Sequence, residues 1–437
     1  MALAAVTGNR RRSKAALFLF CCSWAGAAPH WLEPIRGILP AITLAFLLGG
    51  YGLKVVLRDR DESYESSNIL FSDEIDENKL PCIDVLVAAR DEESVVERLI
   101  ERLSSINYPN QKISFWIIDD GSQDNTAEIL EVLTSKFSNF HLLQRSRSAG
   151  GGKSGALNYA LNFVKGDWLF ILDADAQFQE DILLRLFLIA NKSRWSAVQL
   201  RKAVINSTQN LLTCFQAMEM AMDAVIQRGR LKGGGVVELR GNGQLIKREL
   251  LDECGGFNEE TVTDDLDLTF RLLLSGSQVG ILWDPPVQEE GVETLHQLLK
   301  QRQRWAEGGL QRFFDYWPSL VSSKLDFVKR KDLASFFLLQ YAIPVVSSVD
   351  ILISLITRTA PVYWPLSFVA LSVSGLAYWR GCTRESEGPL LPYPSPIRLL
   401  FAITYLSHWF IVIPWVTLKM AIFPKKLVWA KTIHKGH

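Results

Sequence analysis

The chain has 437 residues, and its 47 lysines and arginines balance 47 aspartates and glutamates, so nothing indicates a nucleic-acid partner. Hydrophobic residues make up 48% of it beside 22% charged residues, because long apolar runs lie at both ends and the charge lies in the middle. Six scattered cysteines without a CxxC pair argue against structural zinc and against a disulfide framework, and they fit a domain on the reducing, cytoplasmic side of a membrane.

Two apolar runs near the N-terminus predict a transmembrane hairpin over residues 1–60. The first run, 15–32, follows the basic stretch 9–14, and the second run, 38–57, precedes a second charged stretch, 58–61. A spanning helix needs about 20 mostly apolar residues, which the second run supplies, whereas the first also resembles a signal peptide. Because a second apolar run and a cytosol-type domain follow, a hairpin is favoured. The positive-inside rule then places both charged flanks in the cytoplasm.

The middle of the chain, residues 81–312, alternates between strand-like and helix-like patterns. Four such pairs follow in order: 83–89 with 91–103, 113–118 with 126–137, 141–144 with 156–164, and 168–172 with 180–190. This alternation is typical of an α/β domain whose mostly parallel sheet has helices on both faces. Ligands of such domains bind beyond the carboxyl ends of the strands, so the residues that follow each strand are candidates for a site.

Carboxylates follow two of these strands. Asp119 and Asp120 come directly after the second strand, and Asp173 and Asp175 come after the fourth. Residues i and i+2 of an extended chain point to the same side, so Asp173 and Asp175 can converge on one ligand. Two close carboxylates repel unless a cation neutralises them, and Mg²⁺ or Mn²⁺ binds through oxygen ligands together with substrate phosphates. A single Asp-x-Asp pair also fits a solvated turn.

Two predicted helices begin with charged residues. Lys153 closes a glycine-rich stretch that ends like a phosphate-binding P-loop, but Arg147 stands where that motif needs a glycine, so we interpret the stretch as a flexible start of the helix. Asp264 and Asp265 open a helix that runs to Leu274. Acidic residues in a first turn are favourable with the helix dipole, so this second pair does not by itself indicate a site.

A third group of polar residues lies near the end of the central region. Gln301, Arg304 and Trp305 share one face of a helix because of their i, i+3, i+4 spacing. An amide, a guanidinium and an indole on one face suit phosphate binding beside a platform on which a sugar stacks. An ordinary cationic helix is the alternative interpretation.

The C-terminal part predicts a membrane-associated region. Residues 313–330 mix aromatic with charged residues, which is common in a buried core but, just before membrane segments, favours an amphipathic helix in the lipid interface. Three apolar runs follow within 334–423, namely 334–356, 361–379 and 399–423. Asp350 and His408 lie inside these runs, where polar residues usually face the protein interior. If the positive-inside rule holds at the C-terminal end as well, one of these three apolar runs is interfacial or re-entrant.

Together, in this order, the motifs resemble those of family 2 membrane glycosyltransferases of the cellulose synthase and hyaluronan synthase type. The set is Asp119-Asp120-Gly121-Ser122, Lys153-Ser154-Gly155-Ala156-Leu157-Asn158, Asp173-Ala174-Asp175, Thr263-Asp264-Asp265 and Gln301-Arg302-Gln303-Arg304-Trp305. The family often has glutamate where this chain has Asp264. The resemblance implies an α/β GT-A (Rossmann-like) catalytic domain over residues 81–312, flanked by transmembrane helices.

The resemblance also implies a role for each motif residue. The donor side would consist of Asp119 or Asp120 on the uracil or ribose, Asp173 and Asp175 on the nucleotide and on Mg²⁺ or Mn²⁺, and Arg304 with Lys153 on the diphosphate. Asp265 would be the general base, and the acceptor side would consist of Asp264, Gln301 and Trp305. A single base with direct displacement inverts the anomeric carbon, so an α-linked nucleotide sugar would give a β-glycoside.

The acceptor is predicted to be a membrane lipid. Residues 238–244, 261–271 and 301–311 are most similar to cyanobacterial members of the family that glucosylate diacylglycerol. At most five spanning segments are present, few for a channel that exports a polymer, and an opening at residues 313–317 would admit a lipid. The predicted enzyme is a 1,2-diacylglycerol 3-glucosyltransferase that uses UDP-glucose. Ceramide as acceptor, a processive β-polysaccharide synthase and a non-catalytic nucleotide-sugar sensor remain alternatives.

Overall fold

The computed structural model describes residues 8–32, 34–59 and 76–423. Parts of two predicted regions fall outside these residues. Residues 1–7, 33 and 60 of the predicted N-terminal hairpin do so, as does part of the predicted cytoplasmic flank 58–61.

A seven-stranded sheet forms the centre of the molecule, with strand order β3-β2-β1-β4-β6-β5-β7. The strands are β1 (Ile83–Ala89), β2 (Ile113–Asp119), β3 (Phe140–Gln144), β4 (Trp168–Asp173), β5 (Ala197–Val204), β6 (Gln244–Lys247) and β7 (Val279–Glu289). Neighbours pair in parallel except at β6, which is antiparallel to both β4 and β5. The sheet is therefore mixed, although its first four strands are parallel as the sequence predicts.

Each face of the sheet packs against its own apolar core. All seven residues of β1 are buried, and successive side chains alternate between faces: Val85 and Val87 belong to one core, Leu86 and Ala88 to the other. A strand covered on both faces has no solvent side, which explains why six of its seven residues are apolar. The first helices that connect the strands are α3 (Val96–Ser104), α4 (Thr126–Thr134), α5 (Gly152–Leu161) and α6 (Ile182–Ser193).

Four further helices complete the central region: α7 (Leu211–Lys232), α8 (Arg248–Glu253), α9 (Asp264–Leu274) and α10 (Leu295–Leu320). Helix α7 begins with a capping box in which Asn210 and Thr213 satisfy each other's backbone N–H groups. Helix α10 extends beyond the motif helix predicted around residues 301–305. It includes residues 313–320, so the predicted interfacial segment 313–330 does not begin as a separate helix.

The burial of that segment also differs from an interfacial helix. Phe313, Phe314 and Tyr316 are buried in an apolar cluster that includes Ala15 of the N-terminal helix, whereas Trp317 is 58% exposed. Phe313, Phe314 and Tyr316 therefore face protein rather than a lipid interface.

Apolar helices occupy both ends of the chain. They are α1 (Gly8–Ala27), α2 (Pro34–Arg58), α11 (Phe327–Phe337), α12 (Ile343–Thr357), α13 (Trp364–Thr383), α14 (Pro396–Leu406) and α15 (Trp409–Ile422), with a π-helical turn, Leu338–Ala342, between α11 and α12. Among the described residues, three stretches are long and apolar enough to cross a membrane: Gly37–Arg58, Phe327–Thr357 and Pro396–Ile422. Helix α1 opens with basic residues and α13 contains three serines. These two predicted segments are therefore less apolar and are not among the three stretches.

Polar residues of the apolar helices face inward, as expected. Asp350 in α12 is 1% exposed and lies 2.7 Å from Nε2 of His30, which follows α1. The same carboxylate accepts a hydrogen bond from the backbone N–H of Tyr363 at 2.8 Å. This contact joins the N-terminal hairpin to the connection between α12 and α13.

A buried ionic network joins the sheet domain to the apolar helices. Glu238 is fully buried and lies 2.9 Å from the guanidinium groups of both Arg240 and Arg312. Burial alone would raise the pKa of Glu238, but the surrounding arginines outweigh it and hold that pKa at about 2. Arg230 extends the network to Asp332 in α11 at 2.9 Å. The carboxylate therefore stays ionised, and the two parts of the molecule are fixed together.

Candidate active site

The register of the sheet brings the predicted carboxylates to one edge. Ala89 at the end of β1 is opposite Asp119 of β2, and Ala88 is opposite Asp173 of β4. Because the three strands are parallel, their carboxyl ends lie side by side, and the two aspartates flank β1. This edge is where ligands bind in sheets of this kind.

Asp119 and Asp120 are held by neighbouring loops. Asp119 accepts hydrogen bonds from the backbone N–H of Ser122 at 3.2 Å and from its hydroxyl at 2.5 Å. Asp120 lies 2.6 Å from the guanidinium of Arg145 and 3.4 Å from that of Arg90. Burial raises the pKa of Asp120, and the two arginines oppose that rise. Both carboxylates are buried and do not line the cavity described next, so their contact with uracil or ribose stays a prediction.

A cavity of about 320 Å³ lies next to this edge, between the sheet, α7, α9 and α10. It brings together residues from four of the five predicted motifs, which are far apart in the sequence: Lys153, Asp173, Asp175, Asp264, Asp265, Gln301, Arg304 and Trp305. Lys153 and the four aspartates of this set face a common space with the polar face of α10. Such a concave site, with convergent polar groups, is suited to a charged ligand of the size of a nucleotide sugar.

Lys153 and the two aspartates after β4 form the inner wall. The Lys153 ammonium contacts Oδ1 of Asp173, and Oδ2 of Asp175 accepts a hydrogen bond from the backbone N–H of Glu290 at 3.1 Å. Burial works to lower the pKa of Lys153, but the carboxylates of Asp173, Asp264 and Asp265 outweigh it and the pKa is raised. Lys153 is therefore a permanent positive charge at the place where a diphosphate would bind.

A divalent cation fits this wall only together with phosphate oxygens. In the described part of the chain, no group of three or more His, Cys, Asp or Glu side chains is arranged to hold a metal ion. Asp173 and Asp175 offer oxygen ligands that Mg²⁺ and Mn²⁺ prefer, and Mg²⁺ commonly binds through one or two carboxylates plus substrate phosphates. The residues present thus fit a cation that arrives with a diphosphate.

A glycine turn before β6 contacts two of the candidate carboxylates, and it falls within residues 238–244, which the sequence comparison singled out without giving them a role. The side-chain oxygen of Asn242 accepts a hydrogen bond from the backbone N–H of Asp173 at 3.1 Å. Gly241 adopts φ +87°, and a Cβ at this position would lie 3.3 Å from Oδ2 of Asp265. Glycine is suited to both conditions, since it allows positive φ and a close approach of the backbone.

Asp264 and Asp265 occupy the first turn of α9, where the helix N-terminus faces the cavity. Burial raises the pKa of Asp265 to about 6, with a further contribution from the neighbouring Asp264 carboxylate. Lys202 and Lys153 act in the opposite direction. An aspartate with this pKa is a better proton acceptor than an ordinary one, yet it is ionised at neutral pH.

The pH dependence of activity should therefore report Asp265. A base must be deprotonated to act, so the rate is expected to be level above pH 7 and to fall about tenfold per pH unit below pH 6. The measurement is kcat/KM for transfer between pH 5 and 8. A rate that stays level down to pH 5 would contradict the assignment of Asp265 as the titrating base.

The face of α10 that the spacing predicts is turned towards the cavity. Gln301, Arg304 and Trp305 all line it, whereas Arg302 between them is fully buried against α7. The Arg302 guanidinium lies 4.0 Å from the centroid of the Trp305 ring, and the Lys202 ammonium lies 5.9 Å from it. Sequence patterns missed Arg302 and Lys202, because a single cation in a helix or a strand carries no periodic signal.

The far wall of the same cavity comes from two of the stretches that are long and apolar enough to cross a membrane, Phe327–Thr357 and Pro396–Ile422. We call their helices the membrane-candidate helices. Phe336 of α11, Gln340 and Tyr341 of the π-helical turn, and Trp409 of α15 line it together with α7. This corrects the predicted opening at residues 313–317: Phe313, Phe314 and Tyr316 are buried against other helices and do not line the cavity. The apolar wall lies instead on two of the three stretches that are long enough to cross a membrane.

Comparison with known proteins agrees with this geometry. A family model described as glycosyltransferase like family 2 matches residues 81–308, and this chain belongs to that family of glycosyltransferases. The chain is 42% identical over 359 residues to the β-monoglucosyldiacylglycerol synthase of Synechocystis sp., covering 81% of this chain and 75% of that relative. It is 38% identical over 431 residues to the enzyme of that name from Trichormus variabilis, covering 98% and 90%.

A solved structure confirms the predicted GT-A fold. The mannosyltransferase PcManGT from Pyrobaculum calidifontis, determined in complex with GDP-Man and Mn²⁺, superposes with a TM-score of 0.58 at 17% identity. The match covers 88% of this chain and 99% of that one. The likeness therefore extends beyond the sheet domain.

Proposed function

We propose that the protein transfers glucose from UDP-glucose to diacylglycerol, with inversion at the anomeric carbon, to give β-monoglucosyldiacylglycerol. The observation that carries the proposal is the shared cavity, in which the carboxylates after β4 and at the start of α9 face the same space as Phe336, Tyr341 and Trp409 of the membrane-candidate helices. A polar donor and an apolar acceptor can thus meet without a channel for a polymer. The two β-monoglucosyldiacylglycerol synthases, at 42% and 38% identity, support the donor sugar and the acceptor.

On the donor side, the charges of the inner wall suit a nucleoside diphosphate. Asp173 and Asp175 would hold Mg²⁺ or Mn²⁺, which when bound supplies positive charge to the diphosphate of the leaving UDP. Lys153 and Arg304 line the same space and add two fixed cations. Asp119 and Asp120 are assigned to the uridine because they lie at the adjacent strand end, outside the main cavity.

On the acceptor side, Asp265 accepts the proton of the diacylglycerol hydroxyl while the oxygen of that hydroxyl attacks the anomeric carbon. The new C–O bond forms while the bond from that carbon to the diphosphate oxygen breaks, and UDP leaves with the electron pair. A single displacement inverts the configuration, so an α-linked donor gives a β-glucoside. Gln301, Trp305 and Asp264 are assigned to the acceptor, because they line the cavity beside Asp265.

The proposed location is an integral membrane protein with its catalytic domain on the cytoplasmic side. Three helical stretches of the described chain are able to cross a bilayer by length and composition. UDP-glucose is a charged cytoplasmic metabolite that cannot pass the bilayer core. The sheet domain, which forms the donor side of the cavity, is therefore placed in the cytoplasm.

The test is an assay of membranes that contain the protein, with radiolabelled UDP-glucose, Mg²⁺ and diacylglycerol. The expected product extracts into organic solvent, is cleaved by a β-glucosidase and does not form in EDTA. Label only in an insoluble polymer would identify a polysaccharide synthase instead. Parallel reactions with ceramide and with UDP-galactose test the choice of acceptor and donor.

Gln340 offers a separate test of the lipid site. It is an amide on the π-helical turn of a membrane-candidate stretch, and it lines the cavity. Polar groups in such stretches usually have a function, and π-helical turns often occur at functional sites. Gln340→Leu is expected to raise KM for diacylglycerol about fivefold, the effect of losing one hydrogen bond, without changing KM for UDP-glucose. Leu338→Ala, outside the cavity on the same turn, is the control; equal effects of both variants would contradict the role of Gln340.

A further inference from the structure

A buried ionic cluster lies on the acceptor side of the cavity, where α7, α10 and the break between α14 and α15 meet. Arg302 of α10 is fully buried, and its guanidinium lies 2.5 Å from the carboxylate of Glu219 in α7. Two further groups donate to that carboxylate: the Tyr405 hydroxyl at 2.8 Å and the Trp409 indole N–H at 3.3 Å. The Glu219 carboxylate therefore joins α7 to three other helices, α10, α14 and α15.

The planar guanidinium of Arg302 lies against two indole rings. Its carbon is 4.0 Å from the centroid of Trp305 and 5.7 Å from that of Trp409. Both rings line the cavity, as does Glu219, whereas Arg302 does not. A guanidinium stacks on an aromatic face and at the same time donates in its own plane, so it fixes the orientation of the ring it covers.

We propose that Glu219 and Arg302 form a positioning pair that sets the Trp305 indole for the lipid acceptor. This inference rests on the proposed function and deepens it: the ring assigned to the acceptor is oriented from behind by Arg302, which does not line the cavity and which Glu219 holds in place. Trp409 extends the arrangement to α15. The cavity wall formed by the apolar helices and the motif helix α10 therefore both contact the same carboxylate, that of Glu219. The pair acts through Trp305 and is not itself catalytic.

A chemically similar cluster elsewhere in the protein supplies a matched control. Arg384 lies 3.1 Å from the carboxylate of Asp59, and its guanidinium is 4.5 Å from the centroid of the Trp283 ring. Asp59 and Arg384 are both buried, and none of these three residues lines the cavity. Loss of this pair removes a similar set of contacts without a neighbouring acceptor.

The experiment compares Arg302→Lys with Arg384→Lys in the full-length protein, in vesicles with varied diacylglycerol content. Lysine keeps the charge opposite the carboxylate but loses the flat stacking surface. We expect Arg302→Lys to raise KM for diacylglycerol about tenfold while KM for UDP-glucose stays within about twofold. Arg384→Lys is expected to change neither constant. If Arg302→Lys kept wild-type KM values, or if its KM values for diacylglycerol and UDP-glucose rose equally, the pair would have a structural role only and the inference would be overturned.

Two further variants guard against misfolding and test the mechanism of the effect. Trp409→Phe keeps a ring but removes one donor to Glu219, and a smaller rise of the same KM is expected. Combined with Trp305→Leu, Arg302→Lys should add nothing, because the ring it positions is gone. Additive effects would overturn the inference. A wild-type protein that glucosylates no diacylglycerol would instead refute the proposed function, which separates the two failures.

Discussion

Replacing Asp265 with asparagine is expected to abolish glucosyl transfer while UDP-glucose still binds. Asparagine keeps the shape of the side chain beside Gly241 but loses the ability to accept a proton. General-base catalysis contributes about 10²–10⁴-fold, so a loss near 10³-fold, or ~4 kcal/mol of transition-state stabilisation, is expected. The measurement combines the transfer rate with calorimetric binding of UDP in the presence of Mg²⁺.

The neighbouring charge pattern makes this variant informative. Asp265 faces Asp264, Lys153 and Lys202, and removing its charge also alters the field around the donor site. A loss of UDP binding together with transfer would therefore show a donor-site defect. Retained turnover would refute the assigned mechanism. Asp252→Asn is a suitable control, because Asp252 lies at the surface and pairs with Arg248 at 3.4 Å, away from the cavity.

The second large effect concerns the metal. Asp175→Asn is expected to raise the Mg²⁺ concentration needed for half-maximal activity at least about tenfold, because one of the two proposed carboxylate ligands is lost. The fold should survive, since asparagine retains an oxygen that can accept the hydrogen bond from Glu290. Activity measured against Mg²⁺ and Mn²⁺ at saturating UDP-glucose gives this constant directly.

A matched control for the metal variant lies a few residues further along the chain. Asp181 is outside the cavity and lies 3.6 Å from Arg185. Asp181→Asn is expected to leave the metal dependence unchanged. If Asp175→Asn had the same Mg²⁺ requirement as the wild type, Asp175 would not be a metal ligand. Binding of metal to the protein without UDP should be weak in both variants and in the wild type, because phosphate oxygens complete the site.

The strand-end carboxylates and the cavity-facing side of α10 were predictable because they follow local rules. The strands before Asp119 and Asp173 are short, apolar runs, and parallel strands place whatever follows them at one edge of a sheet. The helical spacing of Gln301, Arg304 and Trp305 is equally local, and all three line the cavity as a face should. Residue type, spacing and strand order suffice for such features.

The far wall of the cavity and the buried cluster around Arg302 depend on contacts that no short pattern contains. Arg302 meets Glu219, 83 residues away in the sequence, and the far wall comes from a π-helical turn and from Trp409. The four-residue strand β6 reverses the direction of the sheet and follows the turn at Gly241, yet four residues are too few for a periodic signal. Aromatic residues around position 313 resembled a lipid-facing stripe, because burial against protein and against lipid select the same side chains.

The wall that the cavity shares with the membrane-candidate helices has a kinetic consequence. Of the two proposed substrates, UDP-glucose is dissolved in water and its concentration is in moles per litre, whereas diacylglycerol is dissolved in the bilayer and its concentration is a fraction of the lipids around each protein. Adding inert phospholipid should therefore slow the reaction at fixed total diacylglycerol, while adding buffer at fixed UDP-glucose concentration should not. The rate in a cell would then follow the composition of the bilayer rather than its amount.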